Sequence, residues 1–273
     1  MKIKDFQLAL ITGGSSGIGL ALAKLLAQEG VNLCLLARDE TKLDQAKTEL
    51  QTLTTRKDQQ IDTISCDIRD FDELNRQLET WTKKVGVPNL VINSAGVTYP
   101  GYFQDIEIET FHWLMDVNYF GTVHILKCLL PKMIDRGSGS VVNISSQAGF
   151  IGVFGYSGYS GSKYAVRGFT DVMRSEMKPH GIHFHIVYPP DTQTPQLEFE
   201  KPLKPEETKA LSSSSGLLTA DQVAKEILNG VKNDRYVILP GFEGKVFYRL
   251  VNLLGNLTYP IMDWMIRKAQ REK

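Results

Sequence analysis

Neither sign of charge prevails in this chain. Its 31 acidic residues are matched by 31 basic ones, which removes the global electrostatic attraction on which a nucleic-acid partner relies, and none is expected. Cysteine is scarce. Cys34, Cys66 and Cys128 lie far apart, without CxxC spacing, so a reducing compartment is expected, with neither a disulfide framework nor a cysteine-based zinc site. Long hydrophobic runs are missing too: no stretch reaches the roughly 18 uninterrupted apolar residues of a membrane span. The opening MKIKDFQLALITGG enters an apolar strand too soon to hold a signal peptide. Together these absences lead to the expectation of a cytoplasmic protein.

What is present is an ordinary globular composition, 42% hydrophobic and 23% charged over 273 residues, read as one α/β domain over 1–273. Short apolar runs at 8–12, 32–37, 61–66, 89–93, 140–145, 183–188 and 236–239 alternate with helix-type spacing at 17–29, 39–53, 70–84, 107–116, 118–135, 158–178 and 220–230. This βαβ series predicts a doubly wound parallel sheet of about seven strands with helices on both faces. Ligands of such sheets sit beyond the carboxyl ends of the strands. Two segments break the rhythm. Residues 189–216, rich in Pro, Thr, Ser and charge, read as a long excursion, either a lid over bound substrate or a disordered surface loop. The tail 244–273 is apolar and aromatic, with two helices divided near Gly255 to Pro260; residues 245–273 carry six basic residues against two acidic ones. It can lie peripherally on an anionic membrane, with Phe247, Tyr259 and Trp264 at the interface, or close a pocket or subunit contact. The runs KPLKPEE (201–207) and RKAQREK (267–273) read as solvated charge. His183 and His185 share a strand face without a third ligand at suitable spacing, so no metal is expected.

The first strand runs into Thr12-Gly13-Gly14-Ser15-Ser16-Gly17-Ile18-Gly19 and then a helix. Glycines let the backbone turn tightly and approach a pyrophosphate, and the helix start offers unpaired N–H groups and a positive dipole end. Gly13, Ser15, Ser16, Gly17, Ile18 and Gly19 are therefore candidate phosphate binders of a Rossmann-type nucleotide site. The second strand ends in Ala37-Arg38, where a carboxylate would repel a 2′-phosphate and a guanidinium can pair with one. Arg38 points to NADP(H). Asp39 faces the adenosine ribose or caps the next helix.

Tyr159 and Lys163, at i and i+4, share a helix face, so an ammonium near the phenol would favour its ionised form and tune it as an acid-base catalyst. A serine ending the preceding strand, Ser145 or Ser146, can donate to a substrate oxygen on which charge develops. Tyr156 is no substitute for Tyr159, because position 160 is Ser rather than Lys.

The Gly-x-x-x-Gly-x-Gly loop followed by Tyr-x-x-x-Lys resembles the short-chain dehydrogenase/reductase family, and the resemblance extends over nearly the whole chain. It implies that Ser146 rather than Ser145 joins Asn118, Tyr159 and Lys163 as the catalytic four. The backbone of Asn118 would hold a water that links the lysine to solvent. It implies cofactor contacts from Asp67 and Ile68 at the adenine, from Asn93, Ala95 and Gly96, from Tyr159 and Lys163 at the nicotinamide ribose, and from Pro189, Thr192 and Thr194. It also implies a dimer or tetramer. The run Tyr188-Pro189-Pro190-Asp191-Thr192-Gln193-Thr194-Pro195 is similar to the branch that reduces 3-ketodihydrosphingosine with NADPH, implying ketone reduction on a long-chain lipid. Other lipophilic carbonyls or alcohols (steroid, retinoid, acyl), and a non-catalytic NADP-binding regulator, stand as alternatives.

Overall fold

The computed structural model describes residues 5–212 and 216–271, with no account of the side chains at 211 and 212. Part of the serine run in the excursion and the last two residues of the tail thus lie outside the described residues. In chain order the elements are β1 (Leu8–Thr12), α1 (Gly17–Gln28), β2 (Asn32–Ala37), α2 (Glu40–Gln51), β3 (Ile61–Ser65), α3 (Phe71–Val85), β4 (Leu90–Asn93), α4 (Ile108–Met115) and α5 (Gly121–Arg136). Then follow β5 (Gly139–Ile144), α6 (Ser157–Met177), β6 (Ile182–Val187), β7 (Thr192–Gln193), α7 (Pro195–Glu200), α8 (Glu206–Ser212), β8 (Leu218–Thr219), α9 (Ala220–Lys232), β9 (Val237–Ile238), α10 (Phe242–Leu254) and α11 (Thr258–Arg271).

Seven strands form one parallel sheet in the order β3-β2-β1-β4-β5-β6-β9. Its strands are apolar on both faces because both faces are covered. Along β2, Leu33 and Leu35 join α1, α2 and α9 through Leu26, Leu43 and Ile227. Cys34 and Leu36 point the other way, into the layer of α3 and α5 with Leu78, Trp81 and Leu129. Each fully buried Leu contributes ~1.5–3 kcal/mol, so a one-residue slip in register would be prohibitive. Strand order reverses between β1 and β4, which opens a crevice above their carboxyl ends.

Two departures from the sequence reading matter. The helices expected at 107–116 and 118–135 are one continuous rod, joined through a π-helical turn at Asp116–Phe120. The 189–216 excursion, with its loop-like composition, carries ordered structure: it holds β7, α7 and α8, and β7 pairs with β8 just beyond it. No helix among the described residues is long and apolar enough to cross a membrane.

Candidate active site

The crevice is built where β1 and β4 meet. The Thr12 hydroxyl accepts the amides of Ser94 (3.1 Å) and Ala95 (3.0 Å), pinning the turn after β4 to the loop after β1. Gly13 sits there at φ +64°, and a Cβ on it would come within 2.9 Å of the Ala95 backbone. Gly19 lies so close to the Gly13 carbonyl that no side chain fits. Helix α1 opens at Ser16 without a side-chain cap and without an acidic residue in its first turn. In contrast, Asp39, Asp70 and Thr219 cap α2, α3 and α9. An uncapped helix start framed by Ser15, Ser16, Gly17 and Ile18 offers its N–H groups and positive end to an anion, a cradle that fits a pyrophosphate.

Further along the edge, Arg38 is exposed and its charge acts on Asp67. Of the two readings of Asp39, the structure has the cap: its carboxylate accepts the Lys42 amide at 3.0 Å. Asp67 is gripped by Arg69, a residue the sequence reading did not single out, at 3.0 Å from Nε and 2.7 Å from Nη2. That pairing holds the Asp67 carboxyl below the usual range. Two expected cofactor residues have their side chains engaged elsewhere. Ile68 packs on Gly121, and the Asn93 amide donates to Asn143 Oδ1 (2.8 Å), whose own amide nitrogen donates to the Thr170 hydroxyl on α6. Both brace the sheet.

The sequence left two serines after β5, and the structure gives them different work. Ser145 Oγ donates to the Lys163 carbonyl (3.0 Å), tying α6 to the strand. Ser146 accepts the Ala148 amide (3.2 Å) and hydrogen-bonds the Tyr159 phenol. Lys163 Nζ, 5% exposed, donates to the Ile144 carbonyl at 3.1 Å and lies 5.7 Å from the Tyr159 ring centre. Burial pushes its ammonium down to about 8.

The phenol itself departs from the sequence expectation. Burial raises its pKa, the Ser146 hydrogen bond opposes this, Glu200 and Asp191 add to the rise, and Gln196 hydrogen-bonds it. With the ammonium turned to Ile144, burial outweighs the expected lowering, so Tyr159 holds its proton at neutral pH. Asn118 occupies the π turn, a feature that often marks functional sites. Its amide donates to Val97 O and Ser162 Oγ (both 2.9 Å), its oxygen accepts the Val97 amide (2.8 Å), and Gly96 lies against both Asn118 and Lys163.

Over this floor lies the excursion. The Pro189 carbonyl accepts the Gln147 amide (3.2 Å), and the buried Thr192 hydroxyl donates to Pro190 O (2.8 Å). Thr194 caps α7 through the Leu197 amide (3.3 Å) while its methyl rests on Gly17. The run 201–207 is only in part the solvated charge the sequence suggested: Lys201 and Glu206 are exposed, but Lys204 and Glu207 are not. Lys204 is buried between Asp191 and Glu200, and buried Glu207 accepts from the Tyr102 hydroxyl at 2.9 Å. Proline turns fold these charges inward against partners, which composition alone does not reveal. Glu200, Lys204 and Gln196 were missed for that reason, although their four-residue spacing marks a shared helix face.

Behind the loop that follows Ser146, α10 lays Tyr248 edge-on against Phe150, 5.0 Å between centres, and Gly244 backs onto the Gln147 amide. Elsewhere, exposed His183 pairs with Asp234 and buried His185 with the Arg235 carbonyl, each at 2.8 Å. No group of three His, Cys, Asp or Glu among the described residues is arranged to hold a metal.

Comparison with known proteins agrees with this architecture. Residues 7–203 match the family model described as short chain dehydrogenase. The 3-dehydrosphinganine reductase of Danio rerio is 37% identical over 250 residues, covering 91% of this chain and 75% of that one. The 3-ketodihydrosphingosine reductase of Bos taurus is 36% identical over the same shares. A solved short-chain dehydrogenase from Streptomyces avermitilis superposes with a TM-score of 0.79 at 26% identity, covering 98% of each chain. With this match spanning most of its length, the chain belongs to the short-chain dehydrogenase family.

Proposed function

We propose that this protein reduces the 3-keto group of a long-chain 2-amino ketone, 3-ketodihydrosphingosine, to the alcohol with NADPH. The observation that carries the reading is the convergence of Ser146, Tyr159, Lys163 and Asn118 on one crevice, in a chain similar along 91% of its length to reductases of that ketone. NADPH is preferred over NADH because Arg38 is exposed at the end of β2 and Asp39, the nearest carboxylate, is used as a helix cap.

A bound nicotinamide dinucleotide supplies the hydride. The protein's part is proton and charge management. Tyr159, protonated at neutral pH, gives its proton to the carbonyl oxygen as negative charge develops there, and a secondary alkoxide is a strong enough base to take it. Ser146 donates to the same oxygen. Lys163, with its pKa near 8, stabilises the phenolate left behind and can return a proton to it. Asn118 and Ser145 hold the lysine's surroundings in place through Gly96 and the α6 backbone. The glycine cradle with Ser15, Ser16 and Ile18, together with Asp67, Ala95, Pro189, Thr192 and Thr194, surrounds the dinucleotide. Purified protein with 3-ketodihydrosphingosine is expected to oxidise NADPH with at least ~10-fold higher kcat/KM than NADH, since a paired 2′-phosphate is worth more than about 1.4 kcal/mol. Absence of turnover with that ketone sinks the substrate assignment, and a preference for NADH sinks the role of Arg38.

We further propose that α10 and α11 seat the enzyme on an anionic membrane surface, where such a substrate resides. Phe242, Leu253, Tyr259 and Trp264 are exposed there, Leu253 at 82% and Trp264 at 63%, beside Arg249, Arg267 and Arg271. Large unpaired apolar faces with flanking arginines suit a lipid interface. Flotation with phosphatidylserine vesicles is expected to carry the full chain upward, less so in high salt. A non-floating chain that sediments as a dimer or tetramer assigns this face to subunit contact instead.

A further inference from the structure

The cover of the cleft holds a polar cluster that the hydride and proton steps do not use. Gln196, Glu200 and Lys204 recur every four residues, and α7 with the 3-10 turn Lys201–Leu203 turns them towards the reacting phenol. The Gln196 side chain acts on the Tyr159 phenol, and the Glu200 carboxylate on that of Tyr156. Lys204 Nζ stands between two carboxylates, 3.2 Å from Asp191 Oδ2 and 3.1 Å from Glu200 Oε1. The side chains of Lys204 and Glu200 are only 6% and 8% exposed.

Two carboxylates facing one ammonium leave one negative charge in excess, with Glu200 enclosed and Asp191 about a third exposed at the rim, so the enclosed carboxylate shares its only cation with a second acid. The charges that act on Glu200 are those of Lys204 and Asp191, and burial already pushes its carboxyl upward. The hydroxyl of Thr98, 1% exposed, faces the Glu200 carboxylate closely enough to favour its ionised form, yet makes no well-formed hydrogen bond with any protein group. The cluster reaches the surface at Asp191, whose side chain is 34% exposed, and Lys204 also borders the groove formed by Tyr99, Tyr102, Ile106, Leu203 and Pro205. Lys204 Nζ lies 6.0 Å from the centre of the Tyr156 ring, which itself lies 5.6 Å from that of Tyr159, so a cation held beside Lys204 would be one aromatic ring away from the reacting phenol.

We propose that Glu200, with Asp191, binds a cationic amino group on the carbon adjacent to the reacting carbonyl, the substrate's ammonium entering beside Lys204 and bringing the cluster's charge to zero. This rests on the functional reading above and adds its specificity determinant: an ammonium, rather than chain length alone, selects the ketone. Lys204 holds the two carboxylates apart in the form that receives the substrate.

The test compares, with NADPH, kcat/KM for 3-ketodihydrosphingosine and for the same-length 3-keto alcohol with hydrogen in place of the amino group. The wild type is expected to favour the amino ketone by at least ~10-fold, and Glu200→Gln to bring that ratio within about twofold through KM, because a site built for a polar group rejects the analogue lacking it. An unchanged ratio in the variant, or equal losses on both ketones as for a mere latch of the lid, overturns the inference and leaves ketone reduction standing. A wild type that reduces neither ketone overturns the functional reading as well. A variant too unstable to assay leaves the wild type to decide with the N-acetylated amino ketone, which keeps the skeleton and removes the charge. A loss of roughly 10-fold or more is expected there, and equal turnover of the two overturns the inference.

Discussion

On the sheet side of the cleft, the polar side chains around the lysine are anchored to main-chain atoms. Lys163 is bonded to the Ile144 carbonyl, Ser145 to the Lys163 carbonyl, and Asn118 to both the carbonyl and the amide of Val97. On the lid side, Glu200, Lys204 and Asp191 are held by one another. Main-chain partners neither titrate nor rotate away, so the floor is preorganised for charge development at one point. A cluster of side-chain charges is held by partners that can rotate and titrate, so the cover can answer to what enters beneath it. The difference teaches where in this molecule chemistry is fixed and where selection takes place.

The comparison can be broken at either wall. The largest effect belongs to the floor: Tyr159→Phe is expected to lower kcat by about 10³-fold, the size of a lost general acid, with NADPH affinity measured by fluorescence titration little changed. Turnover near the wild-type value would remove the proton donor from this site altogether. Next comes the cover. Lys204→Met leaves the buried Glu200 carboxylate, and the partly exposed Asp191 beside it, without a cation and is expected to cost about 3 kcal/mol in denaturant unfolding at pH 7. Because the raised pKa of Glu200 means that the folded state takes up a proton more readily than the unfolded chain, this deficit shrinks as pH falls through the folded-state value. A deficit that is independent of pH would show that the cluster is not held by charge. The smallest effect is local. Thr194→Ala removes the α7 cap and is expected to cost ~1 kcal/mol, seen as faster hydrogen exchange confined to 195–204; exchange that spreads into α6 would mean that floor and cover are not separate.

The floor was legible in the sequence and the cover largely was not, and the reason is physical. Buried parallel strands must be apolar on both faces, so β1 and β2 stand out residue for residue as LALIT and NLCLLA. The glycine loop and the Tyr159–Lys163 spacing survive because backbone approach and i, i+4 geometry leave little choice of residue. A π turn has no composition of its own, so the rod through Asp116–Phe120 read as two helices. The lid looked like solvent-exposed sequence because its Pro, Lys and Glu are those of a surface, and burial there depends on which opposite charge meets which, something periodicity does not encode. Asn93 and Ile68 were placed on the correct strand ends, but which way a side chain at a strand end turns is decided by neighbours such as Asn143 and Gly121.

The methyl of Thr194 rests on Gly17 while its hydroxyl starts α7. One residue is thus shared by the phosphate loop and the lid, and whatever settles the first also settles the hinge of the second. Sites joined by a common contact are linked reciprocally in affinity: under the functional reading proposed above, a dinucleotide that tightens the cradle would tighten the start of α7, and a substrate that orders α7 would raise affinity for the dinucleotide by the same factor.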